Sequence, residues 1–248
     1  MNLETSSSPL VYRGDSLTAC CQAMSGSFLE VLAAAIARQG YATVALPGGR
    51  TPVFLFSELC RAKVSGIWEK TYVFFGDERC LPPWHADSNY GLAQRHLLSQ
   101  LPVAVGRVLP MPGEVRPLAE AARRYQAAMG DAFESLSGRR LAPDEYPALD
   151  LVVLGMGEDG HTASLFPGHP ALANTDWVAA VASAQARPPV PRLTLTLPLL
   201  NRAGTVMFLV SGEVKLSLAE SLLSGPPDGR YPASLVRPAG RLIWYLAP

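Results

Sequence analysis

The sequence predicts an α/β fold, a three-layer open and mostly parallel sheet with helices on both faces. Strand-like apolar runs alternate along the chain with helical patterns, which is the order typical of α/β proteins. The strand-like runs are continuously apolar, as in a sheet that is covered on both faces. A length of 248 residues suits one such domain, and no segment has the composition of a long linker. We therefore expect residues 1–248 to form a single domain, with residues 1–14 as a tail or an edge segment.

Five segments show helical spacing of apolar residues or the residues that begin and end helices. Gly40 provides a C′ residue after the first of them. Pro52 suits the first turn of the second helix, and Ser88 is an N-cap residue type before the third. The fourth segment has the best helical pattern of the chain. The expected helices cover residues 16–39, 52–60, 89–100, 118–136 and 213–224.

Seven short apolar runs are the expected strands, and Gly or Pro residues break several of them. The segment RPPVP (187–191) interrupts the pattern, so we expect a small excursion from the main fold around residues 178–192. Pro143, Asp144 and Pro147 mark a loop before the third strand. The expected strands cover residues 42–47, 72–77, 150–157, 178–183, 192–198, 204–211 and 241–247.

The balance of charge limits the function classes. Twenty-one basic residues match 21 acidic ones, which argues against broad binding to nucleic acid or anionic membranes but allows a local basic pocket. No apolar run approaches the roughly 18 residues of a membrane span, and the N-terminus lacks the layout of a signal peptide. Four cysteines without framework spacing indicate reduced thiols, so we expect a cytoplasmic protein. From its charge balance and its short apolar runs, we expect it to bind neither nucleic acid nor membranes.

Three strand ends carry polar residues in Gly-rich segments. Ligands of open α/β sheets bind beyond the carboxyl ends of the strands, so these segments are the candidate site. The segments are PGGRTP (47–52), GDER (76–79) and GMGEDGHT (155–162).

The first segment has the features of an anion-binding turn. Gly48 and Gly49 offer backbone N–H groups without a Cβ in the way, and a helix N-terminus follows after Arg50 and Thr51. No Gly-Lys-Ser/Thr follows, so the segment is not a Walker A loop. The alternative is a tight strand–helix turn that needs glycine for its shape alone.

The second segment places three charged residues, Asp77, Glu78 and Arg79, at the end of an apolar strand. Charged residues rarely end a buried strand without a function, although a salt-bridged surface end would look the same. Cys80 follows directly, and the neighbouring arginine could lower its pKa enough to make it a nucleophile. We favour the alternative that Cys80 is a small buried residue.

The third segment contains G-x-G-x-x-G after a strand, so a dinucleotide site must be weighed. Two carboxylates, Glu158 and Asp159, would lie beside the pyrophosphate, and the acid expected about 20 residues on is missing because Asp176 precedes its strand. A general base is the better interpretation of His161, since a carboxylate can orient a neutral imidazole. The alternative is a histidine in a surface loop. His161 and His169 lie too far apart for a short zinc motif, so we expect no metal.

Taken together and in this order, the segments resemble the 6-phosphogluconolactonase family. The resemblance rests on PGGRTP, on GDERCLPPWHADSNY (76–90) and above all on the long segment GMGEDGHTASLFPGH (155–169). Three later segments are also similar, and the likeness runs from about residue 25 to the end. Pro47 and Arg50 depart from the family, in which small hydroxyl residues are common at these positions. The later segments are RLTLTLPLLNRA (192–203), SGEVK (211–215) and YPASLV (231–236).

The resemblance implies a sugar-phosphate isomerase-like, modified Rossmann-like fold. It implies hydrolysis of 6-phospho-D-glucono-1,5-lactone to 6-phospho-D-gluconate, the second step of the oxidative pentose phosphate pathway, without a cofactor or metal. His161 would deprotonate water, and either Asp77 or Asp159 would orient it, with Asp77 preferred. The residues expected to hold the phosphate or the developing oxyanion are Gly48, Gly49, Arg50, Thr51, Arg79, Lys215 and, less strongly, Arg192.

Two alternatives on the same fold stay open. An amino-sugar phosphate deaminase/isomerase would continue its Gly-His segment as Ile-Ala-Phe-Asn-Glu-Pro, whereas residues 162–167 read TASLFP and lack that acid. A non-catalytic sugar-phosphate-binding protein would carry an N-terminal helix-turn-helix, whereas the first 40 residues offer one long helix. The sequence leaves the oligomeric state open between monomer and dimer.

Overall fold

Two sheets and six α-helices make up the described part of the chain, residues 8–62, 64 and 66–248 of a computed structural model. Residues 1–7, which are half of the expected tail or edge segment, lie outside it. The strands are β1 (Leu10–Arg13), β2 (Ala42–Leu46), β3 (Thr71–Phe75), β4 (Asp77–Arg79), β5 (Leu151–Leu154), β6 (Val178–Val181), β7 (Arg192–Leu195), β8 (Thr205–Ser211) and β9 (Arg241–Ala247). The α-helices are α1 (Leu17–Gln39), α2 (Pro52–Arg61), α3 (Asn89–His96), α4 (Leu118–Ser137), α5 (Leu197–Leu200) and α6 (Glu213–Ser224).

The main sheet has the strand order β1-β9-β8-β5-β2-β3, and every neighbouring pair in it is parallel. This confirms the predicted mostly parallel α/β sheet. Every residue of β2 and β5 is buried, which requires that helices cover both faces of the sheet. One such contact is the stacking of Phe133 of α4 on Phe74 of β3, with ring centroids 5.7 Å apart.

Helix α1 begins and ends where its capping residues predict. The Ser16 side chain accepts a hydrogen bond from the N–H of Ala19, and Gly40 adopts a φ of +85°. By length and composition α1 could cross a membrane, which corrects the expectation that no segment is long and apolar enough. Half of its most apolar stretch is buried, and the helix packs against β2, β5, β8 and β9, as a core helix does.

The predicted strand 72–77 is wrong in one respect, because it divides at Gly76. Residues before Gly76 form β3 of the main sheet, and those after it form β4 of an antiparallel sheet ordered β4-β7-β6. The N–H of Gly76 donates to the carbonyl of Leu46 in the main sheet, and its carbonyl accepts from the N–H of Leu195 in the second sheet. The second sheet contains the predicted excursion around residues 178–192, and it carries Asp77 and Arg79 away from the main sheet.

A buried carboxylate, that of Asp150, links three elements at the amino-terminal edge of the main sheet. Asp150, just before β5, accepts hydrogen bonds from the N–H and Oγ1 of Thr43 at 2.9 and 2.8 Å. Arg38 at the end of α1 donates to the same carboxylate at 2.6 Å. These bonds tie α1, β2 and β5 together at the edge opposite to the strand ends that carry the candidate site.

Candidate active site

The three predicted segments meet at one cleft of about 220 Å³ beyond the carboxyl ends of β2, β5 and β8. The position agrees with the general rule for ligand sites in open α/β sheets. The antiparallel sheet contributes the remaining wall. The residues that line the cleft include Gly48–Thr51, Asp77, Arg79, His161, Phe166, Gln185, Arg187, Arg192, Ser211 and Lys215.

The loop between β2 and α2 is shaped by its two glycines. Gly49 has a φ of +93°, a conformation that favours glycine. A Cβ on Gly48 would overlap the side-chain amide of Asn89, so only glycine fits against this residue. Thr51 lies near the end of β8, with its Oγ1 3.5 Å from Oγ of Ser211. The loop therefore presents its backbone to the cleft at the N-terminus of α2, a position that favours anions.

The turn after β5 pairs His161 with Asp159. Nδ1 of the imidazole lies 2.6 Å from Oδ1 of Asp159, and the backbone N–H of His161 donates to the same oxygen at 3.1 Å. The N–H of Gly157 donates to the carbonyl of His161 and closes the turn. A Cβ on Gly157 would overlap the imidazole and come within 2.6 Å of the carboxylate, so the turn requires glycine at this position.

This pairing fixes the chemistry of the imidazole. A carboxylate accepts hydrogen bonds, so Nδ1 carries the hydrogen, and in the neutral imidazole Nε2 keeps its lone pair. The His161 side chain lines the cleft and is 32% exposed, so solvent reaches the ring. The ring packs on Phe166 with centroids 4.8 Å apart, which limits its rotation. The arrangement can therefore take a proton from a water molecule in the cleft.

Of the two acids expected to orient His161, the structure pairs the imidazole with Asp159 and not with the preferred Asp77. The Asp77 carboxylate is buried and is occupied by other groups. Asn89 donates to its Oδ1 at 3.0 Å, and Ser164 donates to its Oδ2 at 2.5 Å. Arg192 Nη1 lies 3.7 Å from Oδ2. Asp77 therefore anchors the floor of the cleft, and Asp159 is the carboxylate bonded to the imidazole.

Five basic side chains line the cleft, and among the described lining residues Asp77 is the only acid. Burial lowers the pKa of Arg192, and the nearby Asp77 carboxylate opposes that shift. Both Arg79 and Arg192 line the cleft, and their buried Nε atoms have no hydrogen-bond partner in the described ranges. The cleft is thus suited to a polyanionic ligand. The basic residues are Arg50, Arg79, Arg187, Arg192 and Lys215.

Sequence reasoning missed several residues of the site. Asn89 and Ser164 lie inside segments that the resemblance quotes, but the sequence gives no sign that both hold Asp77. Gln185 and Arg187 reach the cleft from the excursion between β6 and β7. The cis bond between Arg187 and Pro188 lies in the same RPPVP segment. From the sequence, that segment indicates a break in the pattern and a small excursion but no contact with the site, and its proline run is the one available signal.

The alternatives raised by the sequence fare differently. Cys80 is 5% exposed, and burial raises its pKa to about 11, so it is not an activated nucleophile. The imidazole of His169 accepts from the N–H of Ala171 and caps a short 3₁₀ turn. No cluster of three or more metal-ligating side chains occurs within residues 8–62, 64 and 66–248. No α-helix directly follows the Gly-rich turn after β5, so a dinucleotide pyrophosphate would lack its helix N-terminus there.

Comparison with known proteins gives a consistent result. Residues 15–244 match the family described as glucosamine-6-phosphate isomerases/6-phosphogluconolactonase. The chain is 40% identical over 213 residues to a 6-phosphogluconolactonase of Synechocystis sp., covering 86% of this chain and 84% of that protein. It is 37% identical over 219 residues to one of Nostoc sp., covering 88% and 87%. The solved structure of 6-phosphogluconolactonase from Trypanosoma brucei superposes with a TM-score of 0.82 at 28% identity and covers 97% of each chain.

Proposed function

Since the chain belongs to the glucosamine-6-phosphate isomerase and 6-phosphogluconolactonase family, we propose that its cleft hydrolyses 6-phospho-D-glucono-1,5-lactone to 6-phospho-D-gluconate. This reaction is the second step of the oxidative pentose phosphate pathway. The observation that carries the proposal is the pairing of His161 with Asp159 at the mouth of a cleft lined by five basic residues. Hydrolysis of a phosphorylated lactone needs both parts, a neutral base for water and positive charge for the phosphate.

Attack on the lactone begins with proton removal from water. Nε2 of His161 accepts a proton as the water oxygen forms a bond to the carbonyl carbon of the lactone. The imidazole becomes an imidazolium, and the negative carboxylate of Asp159, 2.6 Å from Nδ1, stabilises that charge. The carbonyl oxygen becomes an oxyanion. The guanidinium of Arg79, which lines the cleft, is the group that we assign to this charge.

Ring opening returns the proton. The tetrahedral intermediate collapses, the bond from the carbonyl carbon to the ring oxygen breaks, and Nε2–H of His161 protonates the departing oxygen. The product is a carboxylic acid with a free hydroxyl, and the acid then ionises into solvent. The reaction consumes one water molecule and involves no oxidation or reduction. The scheme therefore calls for no cofactor or metal.

The phosphate is assigned to the loop between β2 and α2. Backbone N–H groups of Gly48 and Gly49 lie there beside the N-terminus of α2, which carries partial positive charge. Lys215 reaches the same cleft from the first turn of α6 and supplies a full charge. A cation at a helix N-terminus opposes the dipole, so its presence there favours a functional role. Thr51 and Arg50 complete the loop, with Arg50 at its exposed side.

We place the reaction in the cytoplasm. All four cysteines are free thiols, and Cys20, Cys21 and Cys80 are buried in the core. Proteins of reducing compartments typically keep thiols in this state.

The proposal is tested by following acid release from 6-phosphogluconolactone that is generated enzymatically in the cuvette. The lactone also hydrolyses spontaneously, so the rate is measured with and without the protein and the difference is taken. The proposal requires a rate that rises in proportion to protein concentration and saturates with substrate. A rate equal to spontaneous hydrolysis at micromolar protein would refute it.

A further inference from the structure

Glu78 is the charged residue of the second segment that has no contact with the cleft. Its neighbours on β4, Asp77 and Arg79, line the cleft, whereas Glu78 does not, because successive side chains of a strand point to opposite faces. It is 3% exposed, so its carboxylate is buried on the far side of β4. A buried carboxylate is costly unless all of its lone pairs are used.

Four donors meet this carboxylate. Oε1 accepts from the backbone N–H groups of Arg79 and Asn89, both at 2.7 Å. Oε2 accepts from the N–H of Tyr90 at 2.8 Å and from Oγ of Ser88 at 3.1 Å. Asn89 and Tyr90 are the first two residues of α3, whose N–H groups have no partner inside the helix. Glu78 therefore caps α3 from a neighbouring strand and fixes the start of this helix to β4.

The first residue of α3 connects this cap to the cleft. The Asn89 side chain donates to the backbone carbonyl of Asp77 at 2.9 Å and to its carboxylate at 3.0 Å. The same amide occupies the space where a side chain on Gly48 would lie. Asn89 is therefore in contact both with the acid that anchors the cleft floor and with the loop assigned to the phosphate.

From these contacts we infer that Glu78 and Asn89 are positioning residues, which set the Gly48 loop and Asp77 for the phosphorylated substrate without touching it. Glu78 fixes the start of α3, and Asn89 transmits that position to both walls of the cleft. This inference rests on the proposed function for its kinetic readout. Displacement of a catalytic constellation by about 1 Å costs on the order of 100-fold in rate, so a small shift of α3 has a large effect.

The experiment compares three variants with a matched control. Glu78→Gln keeps the shape but places an amide NH₂ against the donors of α3, and Asn89→Ala removes the amide but keeps the capped N–H. The double variant tests whether the two act in one chain of contacts. The control is Asp150→Asn, which neutralises another buried carboxylate that joins three elements at the opposite edge of the sheet.

We expect each single variant to lower kcat/KM for 6-phosphogluconolactone by about 10–100-fold and to weaken binding of inorganic phosphate, followed by ³¹P NMR titration. The double variant should lose little more kcat/KM than the more impaired single variant, because the effects of substitutions at coupled residues are not additive. Asp150→Asn should lower the melting temperature but leave kcat/KM and phosphate binding within about twofold of wild type, because no site residue contacts it.

Several outcomes would overturn the inference. One is a Glu78→Gln variant whose melting temperature falls while its kcat/KM and phosphate binding stay at the wild-type level, as in the control. Another is a double variant whose loss of kcat/KM equals the product of the losses in the two single variants. If Glu78→Gln does not fold, Asn89→Ala decides, and wild-type kinetics and phosphate binding in that variant contradict the inference. A wild-type chain that binds phosphate but does not hydrolyse the lactone refutes the proposed function instead, and phosphate binding by the variants still tests the positioning.

Discussion

Removal of the Asp159 carboxylate tests which acid supports the imidazole that we propose as the general base. In Asp159→Ala, His161 loses the partner of its Nδ1 and of its backbone N–H, two bonds of 2.6 and 3.1 Å to one oxygen. A hydrogen bond to a charged group is worth about 1.5–3 kcal/mol, or roughly 10–150-fold in rate at 1.4 kcal/mol per decade. Asp159 is 39% exposed, so solvent screens its charge. We therefore expect kcat to fall to the low end of that range, about 10–30-fold.

The kinetic pattern is as informative as the size of the loss. Asp159 is not among the residues that line the cleft, so KM should stay within about threefold of wild type. Glu158→Ala is the matched control, because it removes the same charge from the neighbouring exposed position. Initial rates of acid release at neutral pH, corrected for spontaneous hydrolysis, give both constants. A wild-type kcat in Asp159→Ala, or equal losses in the two variants, would refute the orienting role.

Three further predictions address the turn, the thiol and the phosphate. Gly157→Ala should lower kcat at least about 100-fold because its Cβ displaces the imidazole. Gly26→Ala, at an exposed position of α1 where a Cβ meets nothing within 4 Å, should stay close to wild type in the same kinetic assay. Burial raises the pKa of Cys80 to about 11, so little of its thiol is ionised at pH 8. Treatment with iodoacetamide at that pH should therefore leave the lactonase activity intact. Rapid inactivation through alkylation of Cys80 would contradict its assignment as an unreactive buried thiol. Lys215→Ala should raise KM for the phosphorylated lactone by roughly 10–150-fold and should change KM for unphosphorylated gluconolactone little. The control Lys70→Ala, outside the cleft, should change neither KM. Equal KM values in wild type and both variants would show that Lys215 does not bind the phosphate.

Periodicity and boundary residues predicted most of the fold. The limits of α1 follow from Ser16 and Gly40, and the continuously apolar strands predicted a doubly covered parallel sheet. The division of the strand at Gly76 could not be predicted in the same way. It depends on a hydrogen bond to Leu195, a residue more than one hundred positions further along the chain. Local sequence contains no information on such a partner.

The site was predictable in its parts but not in its pairings. Gly-rich strand ends identified the loop at Gly48 and the turn at His161, because backbone shape at these positions is a local property. The roles of the two acids depend on competition between partners. Asp77 is held by Asn89 and by Ser164, 12 and 87 residues away, and is thereby withdrawn from the imidazole. The acid two residues before the histidine then becomes its partner through a local turn.

The most direct test of the account is the rate of lactone hydrolysis in His161→Gln, since Nε2 of this residue carries every proton transfer in the mechanism. Removal of a general base typically costs 10²–10⁴-fold, so kcat for 6-phosphogluconolactone should fall by about that factor. Phosphate binding, followed by ³¹P NMR, and the melting temperature should remain near those of wild type, because the imidazole is partly exposed and its partners are Asp159 and the ring of Phe166. A folded His161→Gln variant that hydrolyses the phosphorylated lactone at the wild-type rate would contradict the account.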